Sequence, residues 1–172
     1  MKDDFSGIIC FVGVGSNMDD PAAQCAKAID HLAAIPGVKL LRRSSFYRTE
    51  PVGSLCRDWF INAVVEMRTA LTAGELLREL QGIEKRMGRK KVEKWGPRII
   101  DLDILFYGQD VIQEVDLVIP HPELHRRRFA LTPLYEIAPY AIHPAFGVSV
   151  RGLMERLEDD RIAEVWEKEK TL

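Results

Sequence analysis

The chain has 172 residues, 47% of them hydrophobic, and a formal net charge of -2. That length buries a core without disulfides or a structural metal, and the near-neutral charge excludes a chain built mainly to coat nucleic acid through its phosphates. Cys10, Cys25 and Cys56 stand at unrelated spacings with no C-x-x-C pair, which predicts reduced thiols in a core.

The start is acidic, its apolar stretch is too short for a secretory signal, and no run reaches the eighteen or so apolar residues of a membrane span. One cytoplasmic domain over residues 1–172 is expected, with no membrane and no nucleic-acid partner.

"GIICFVGVG" (7–15) is rich in β-branched residues and reads as a strand whose glycines shape a turn. Asp20 then caps a helix with Pro21 at its first position, running to about Ala34, where Pro36 and Gly37 stop it. Residues 38–51 read as one extended strand. "FINAVVEMR" (60–68) alternates Ile61, Ala63, Val65 and Met67 against Phe60, Asn62, Val64, Glu66 and Arg68, the period of a half-buried strand. Thr72 and Glu75 form a capping box, Leu71 and Leu76 a hydrophobic staple. Leu76, Leu77, Leu80, Ile83 and Met87 keep helical spacing after them.

A basic loop (88–96) leads to the strand "IIDLDILFY" (99–107). Beyond Gly108 follow a short apolar piece (117–120), a helix around 126–139 and a charged helical tail from about Val150. The order strand, helix, strand, strand, helix, strand predicts an α+β fold: a ferredoxin-like β-α-β-β-α-β core with an antiparallel sheet and C-terminal elaborations.

Strand alternation puts Ile100, Leu102, Ile104 and Phe106 on one face and Asp101 and Asp103 on the other, with Ile99 and Leu105. Two carboxylates that close repel unless a cation sits between them, either a metal ion or basic side chains. Arg98 could neutralise one of them in a structural salt bridge. Magnesium suits the pair, because it takes one or two carboxylates and fills its octahedron with waters and phosphates. Arg89, Lys90, Lys91, Lys94 and Arg98 precede the pair, and His121 and Arg127 follow it in "PHPELHRRRF". Metal plus cations points to a polyphosphate. No P-loop, G-x-G-x-x-G fingerprint, serine triad or metal-spaced histidine set is present, so positioning and metal-assisted transfer are favoured over covalent catalysis.

"GSN" (15–17), "SSFYRTEPVG" (44–53), "FINAV" (60–64), "IEKRMGR" (83–89), "WGPRIIDLDIL" (95–105) and "IPHPELHRRRFAL" (119–131) together resemble the 6-hydroxymethyl-7,8-dihydropterin pyrophosphokinases, in that family's order and over nearly the whole chain. The resemblance implies transfer of the terminal two phosphates of ATP, as one unit, to the pterin hydroxymethyl group, with release of AMP, on the route to folate. It implies that Asp101 and Asp103 hold two magnesium ions on the triphosphate. Thr49, Pro51 and Val52 would lie along the pterin, Asn62 would bond its polar edge, and Phe60 and Phe129 would supply aromatic faces. Glu84 is similar to a residue ordering the ATP side, Ile104 to one touching adenine. Arg89, Lys91, Lys94, Trp95, Arg98, His121 and Arg127 resemble residues that grip phosphates or close a lid. A monomer acting on small molecules is implied.

Two rivals share some of these features. An RNA-binding module would need aromatics in the pattern K/R-G-F/Y-G/A-F-V-x-F/Y, which the sequence lacks. A magnesium-dependent nucleotide hydrolase would differ only in lacking the acceptor pocket at Phe60, Asn62 and Phe129.

Overall fold

In the computed structural model, which describes residues 6–53, 57–90 and 96–168, the first β-rich stretch forms β1 (Ile8–Ser16). Helix α1 (Pro21–Ala33) follows, its Ala23 N–H donating to the Asp20 carboxylate at 3.2 Å. Next come β2 (Val38–Arg43), β3 (Tyr47–Thr49) and β4 (Phe60–Thr69). Helix α2 (Ala73–Arg86) starts at the expected box: Thr72 Oγ1 accepts from Glu75 N–H at 3.2 Å, and Glu75 Oε2 accepts from Thr72 N–H at 2.8 Å.

Then follow β5 (Asp101–Tyr107), a hairpin of β6 (Ile112–Gln113) with β7 (Val118–Ile119), and a 3-10 turn (Leu124–Arg126) leading into α3 (Arg128–Ile137). A second hairpin, β8 (Ile142–His143) with β9 (Val148–Ser149), leads to α4 (Val150–Glu155) and β10 (Ala163–Val165).

The main sheet runs β10-β3-β4-β1-β5, with β2 also on β4, and each pairing is antiparallel. This is the expected ferredoxin-like arrangement with additions at its C-terminal end. Among the described residues no helix is long and apolar enough to cross a membrane. Cys10 and Cys25 are free and buried, whereas Cys56 lies outside the described residues.

Both faces of the sheet are covered. Val12, Val14, Val65, Met67, Leu102 and Ile104 pack against α1 and α2, and Phe11, Val64, Leu105 and Phe106 pack against α3 and α4. β4 is therefore buried on both sides along much of its length and not half-buried as its alternation predicts. Phe106 also departs from simple alternation. Val12 opposes Ile104 but Phe11 opposes Phe106, so Leu105 is an extra residue on β5. Such a bulge reverses the phase, and Phe106 joins Leu105, meeting Phe11 edge to face at 6.1 Å. Ile99, ahead of the strand, packs with the α1–α2 side instead of the aspartate side.

The expected single strand at 38–51 is two. Ser44 keeps its N–H on Val64 O (2.9 Å), but its hydroxyl accepts the Val64 N–H at 2.9 Å, a side chain replacing a carbonyl in the ladder. Ser45 then donates its N–H and hydroxyl to Glu136 of α3, both at 2.6 Å. The expected helical tail is a six-residue helix followed by an extended segment, because β10 covers the outer edge of β3.

Leu80, the fully buried leucine at the middle of α2, tests the packing. Leu80→Ala should cost about 2–5 kcal/mol in urea unfolding; a loss near zero would contradict its place in this core.

Candidate active site

Three neighbouring strands build the site on the α3 face of the sheet. β1 contributes Gly13 and Gly15. Gly15 lies opposite Asn62 of β4 and Asp101 of β5, and Gly13 opposite Val64 and Asp103. With strands about 4.8 Å apart, the flanking backbones stand about 10 Å from each other across the glycines. A Cβ at Gly15 would overlap the side-chain oxygen of Asn62, and one at Gly13 would rest on Leu105. The glycines thus form the floor of a trough inside a strand and not the turn that the sequence suggests, the meaning glycine has where something must approach the backbone.

A cavity of about 240 Å³ opens over this floor. Toward β3 and β4 it is lined by Thr49, Glu50, Val52, Phe60 and Asn62, and toward β5 by Arg98, Asp101, Asp103, His121 and Arg127, with Phe129 from the first turn of α3. One side offers aromatic faces and an amide; the other offers carboxylates and cations. Asn62 Nδ2 donates to Thr49 Oγ1 at 2.8 Å, joining two strands beneath the apolar side. Arg127 lies over the Phe129 ring at 5.6 Å.

Asp101 is held by two guanidiniums: Arg89 Nη1 at 3.0 Å and Arg98 Nη1 at 3.2 Å. Arg89 also pairs with Glu84, a buried residue of α2, and so ties that helix to the carboxylate. Burial first, and the Asp101 charge second, push the Asp103 carboxyl from its ordinary 3.8 up to about 7, against the pull of Arg127, Arg89 and Arg98.

Burial first and Arg127 second push His121 down to about 4, so its ring is neutral near pH 7. Glu123 N–H donates to His121 Nδ1 at 3.1 Å, which puts the ring proton on Nε2. His121 therefore acts as a hydrogen-bond donor and not as a cation.

Of the residues singled out from sequence, ten line the cavity: Thr49, Val52, Phe60, Asn62, Arg98, Asp101, Asp103, His121, Arg127 and Phe129. Arg89 and Glu84 reach it through Asp101. Pro51 lies between lining residues without lining the cavity itself. The Ile104 side chain faces α1 and α2, in the core on the opposite side of the sheet. Lys91, Lys94 and Trp95 lie outside the described residues.

Asn17 adds a contact that spacing does not reveal. Its N–H donates to Arg98 O at 3.1 Å and its Oδ1 accepts from Arg98 N–H at 2.7 Å, a two-point clamp fixing the residue that contacts Asp101. The signal was the asparagine of "GSN", directly after the glycine floor.

The donor set fits magnesium. Asp101 and Asp103 line one cavity, and two carboxylates are the number magnesium takes when phosphates and waters complete its shell.

Residues 11–139 match the family described as 7,8-dihydro-6-hydroxymethylpterin-pyrophosphokinase (HPPK). The chain is 42% identical over 155 residues to the 2-amino-4-hydroxy-6-hydroxymethyldihydropteridine pyrophosphokinase of Methylorubrum extorquens, covering 90% of this chain and 97% of that one. It is 39% identical over 137 residues to the protein of the same name from Haemophilus influenzae, covering 80% and 86% respectively. A crystal structure of Plasmodium falciparum HPPK-DHPS, wild type with SDX-DHP, superposes with a TM-score of 0.66 at 17% identity, over 87% of this chain. That likeness concerns the fold, and the chain spans 43% of the solved one.

The raised Asp103 pKa sets a pH test. In metal-free protein the unfolded chain releases this proton near 3.8 and the folded chain near 7, so folding loses stability as pH rises between them. Urea unfolding in chelator should show the advantage of Asp103→Asn over wild type growing from pH 4 to pH 7 and then levelling. A pH-independent difference would contradict it.

Proposed function

This chain belongs to the 7,8-dihydro-6-hydroxymethylpterin-pyrophosphokinase family, and from that premise we propose that it transfers diphosphate from ATP to 6-hydroxymethyl-7,8-dihydropterin, giving AMP and the pterin diphosphate for folate biosynthesis. The observation that carries the reading is the row Asn62, Gly15, Asp101: an amide and a carboxylate face each other across a side-chain-free floor within one cavity.

Phe60 and Phe129 sandwich the flat pterin, and Asn62 and Thr49 meet its polar edge. Arg98, Arg127 and the Nε2–H of His121 donate to phosphate oxygens, and Arg89 holds Asp101 in place. The hydroxymethyl oxygen bonds to the β-phosphorus as the bond from that phosphorus to the α–β bridging oxygen breaks, the electron pair leaves with AMP, and the hydroxyl proton passes to water. Asp101 and Asp103 would hold magnesium, two ions in our reading, which supplies positive charge for the triphosphate and for the departing AMP. Catalysis is then mainly alignment.

The lining groups come from β1, β3, β4, β5 and α3 and the segments beside them, in keeping with a single domain, and the free buried thiols of Cys10 and Cys25 suit the cytoplasm.

The test resolves nucleotide products from ATP and magnesium with and without the pterin. Pterin-dependent AMP with matching pterin diphosphate is expected; ADP, or ATP breakdown indifferent to pterin, would refute the reading. Asp101→Ala and Asp103→Ala should each fold, by circular dichroism, and lose about a thousandfold in turnover. Near-normal turnover in either would remove that carboxylate from the metal set. Gly15→Ala puts a methyl against Asn62, so its pterin KM should rise about tenfold with the ATP KM little changed. An unchanged pterin KM would mean that the floor is not where the pterin binds.

A further inference from the structure

The segment after α4 joins the two walls of the cavity. At one end, Asp159 Oδ2 accepts the Arg128 N–H at 3.0 Å and the Asp159 carbonyl accepts Arg128 Nε at 2.7 Å. Arg128 is the first residue of α3, and the residue in N-cap position, Arg127, offers no side-chain cap. Asp159 therefore satisfies an orphan amide at that helix start, from 31 residues away. Its side chain is only 5% exposed, and its second oxygen accepts from Arg161 N–H at 3.1 Å and Arg161 Nη1 at 2.9 Å.

At the other end, Glu50 N–H donates to Ile162 O at 3.1 Å, Ala163 lies opposite Thr49, and Trp166 N–H donates to Phe46 O at 2.8 Å. Arg127 and Phe129 flank Arg128, Thr49 ends β3 and Glu50 follows it; all four line the cavity. One short stretch thus fixes the spacing between the α3 wall and the β3 wall. It lies beyond residue 139, where the family match ends.

We propose that residues 159–166 are a strap that sets the width of the pterin cleft, and that Asp159 is its positioning residue, acting through Arg128 on Phe129 and Arg127. The inference rests on the pterin reading of the cavity. Without the Asp159 bonds the first turn of α3 is tethered to β3 more loosely, and Phe129 no longer stands at a fixed distance from Phe60 and Asn62. A displacement near 1 Å at a binding wall is enough to weaken alignment severalfold or more.

The test uses the full chain with ATP and magnesium. Wild-type turnover is measured first: absence of pterin-dependent AMP refutes the functional reading. Given wild-type turnover, Asp159→Ala should raise the pterin KM about tenfold and lower kcat by less than about threefold, whereas Asp159→Asn, which keeps an acceptor for Arg128, should recover to within about threefold of wild type. Glu155→Ala cuts the exposed Arg151 pair on α4, outside the strap, and should leave both constants unchanged. A wild-type pterin KM in Asp159→Ala, or a fall in kcat that tracks thermal stability with KM unmoved, overturns the strap. Should Asp159→Ala fail to fold, Arg128→Ala decides in its place: a rise of about threefold in pterin KM supports the proposal, and a wild-type value overturns it.

Discussion

Two carboxylates on one face of β5 are the constraint around which the rest of the site is arranged. In the low dielectric of a cleft such a pair repels, and burial raises the cost of charging the second group. The fold answers with Arg89 and Arg98 on Asp101, and with Arg127 close enough to pull on Asp103. Arg89 and Arg98 are themselves held, one by Glu84 of α2 and the other by the backbone clamp of Asn17. The cations are therefore part of the scaffold, and the carboxylates keep their orientation before any substrate arrives.

The sheet gives this arrangement its rigidity. One face is filled by α1 and α2; the other is filled by α3 and α4 over part of its length and left open over Gly13 and Gly15. Removing two side chains from the central strand makes a cleft without disturbing the ladder, since backbone pairing on both sides of the glycines is kept. On the proposed reading the substrate would lie against hydrogen-bonded backbone, the least deformable surface available. Of the opposite walls, β3 is paired to β4 in the same sheet whereas α3 lies on its face, and links such as Glu136 to Ser45 tie that helix to the sheet.

Local features were legible in the sequence. The Asp20 and Thr72 caps, the existence of β4 as a strand and the shared face of Asp101 and Asp103 each depend on residues a few positions apart. What depends on distant partners was not. Nothing near Leu105 announces that β1 pairs around an extra residue there, so alternation alone puts Phe106 on the wrong face. The break at Ser44 needs Val64 and Glu136, and the edge strand at Ala163 needs β3 as its partner. Gly13 and Gly15 read as a turn because a glycine pair is a turn signal until flanking strands show that it lies in mid-sheet. For the site, residue type and strand phase found the carboxylates, while the pterin-side residues came from resemblance; the Ile104 side chain, by its own strand phase, points away from the cavity.

The most direct test of the metal assignment is diffraction from crystals grown with manganese and a non-hydrolysable ATP analogue, at a wavelength where manganese scatters anomalously. An anomalous peak within about 2.5 Å of carboxylate oxygens from both Asp101 and Asp103 is the predicted result. Nucleotide density in the cavity with the manganese elsewhere, and with Asp101 still paired to Arg89 and Arg98, would show that basic side chains alone balance the carboxylates.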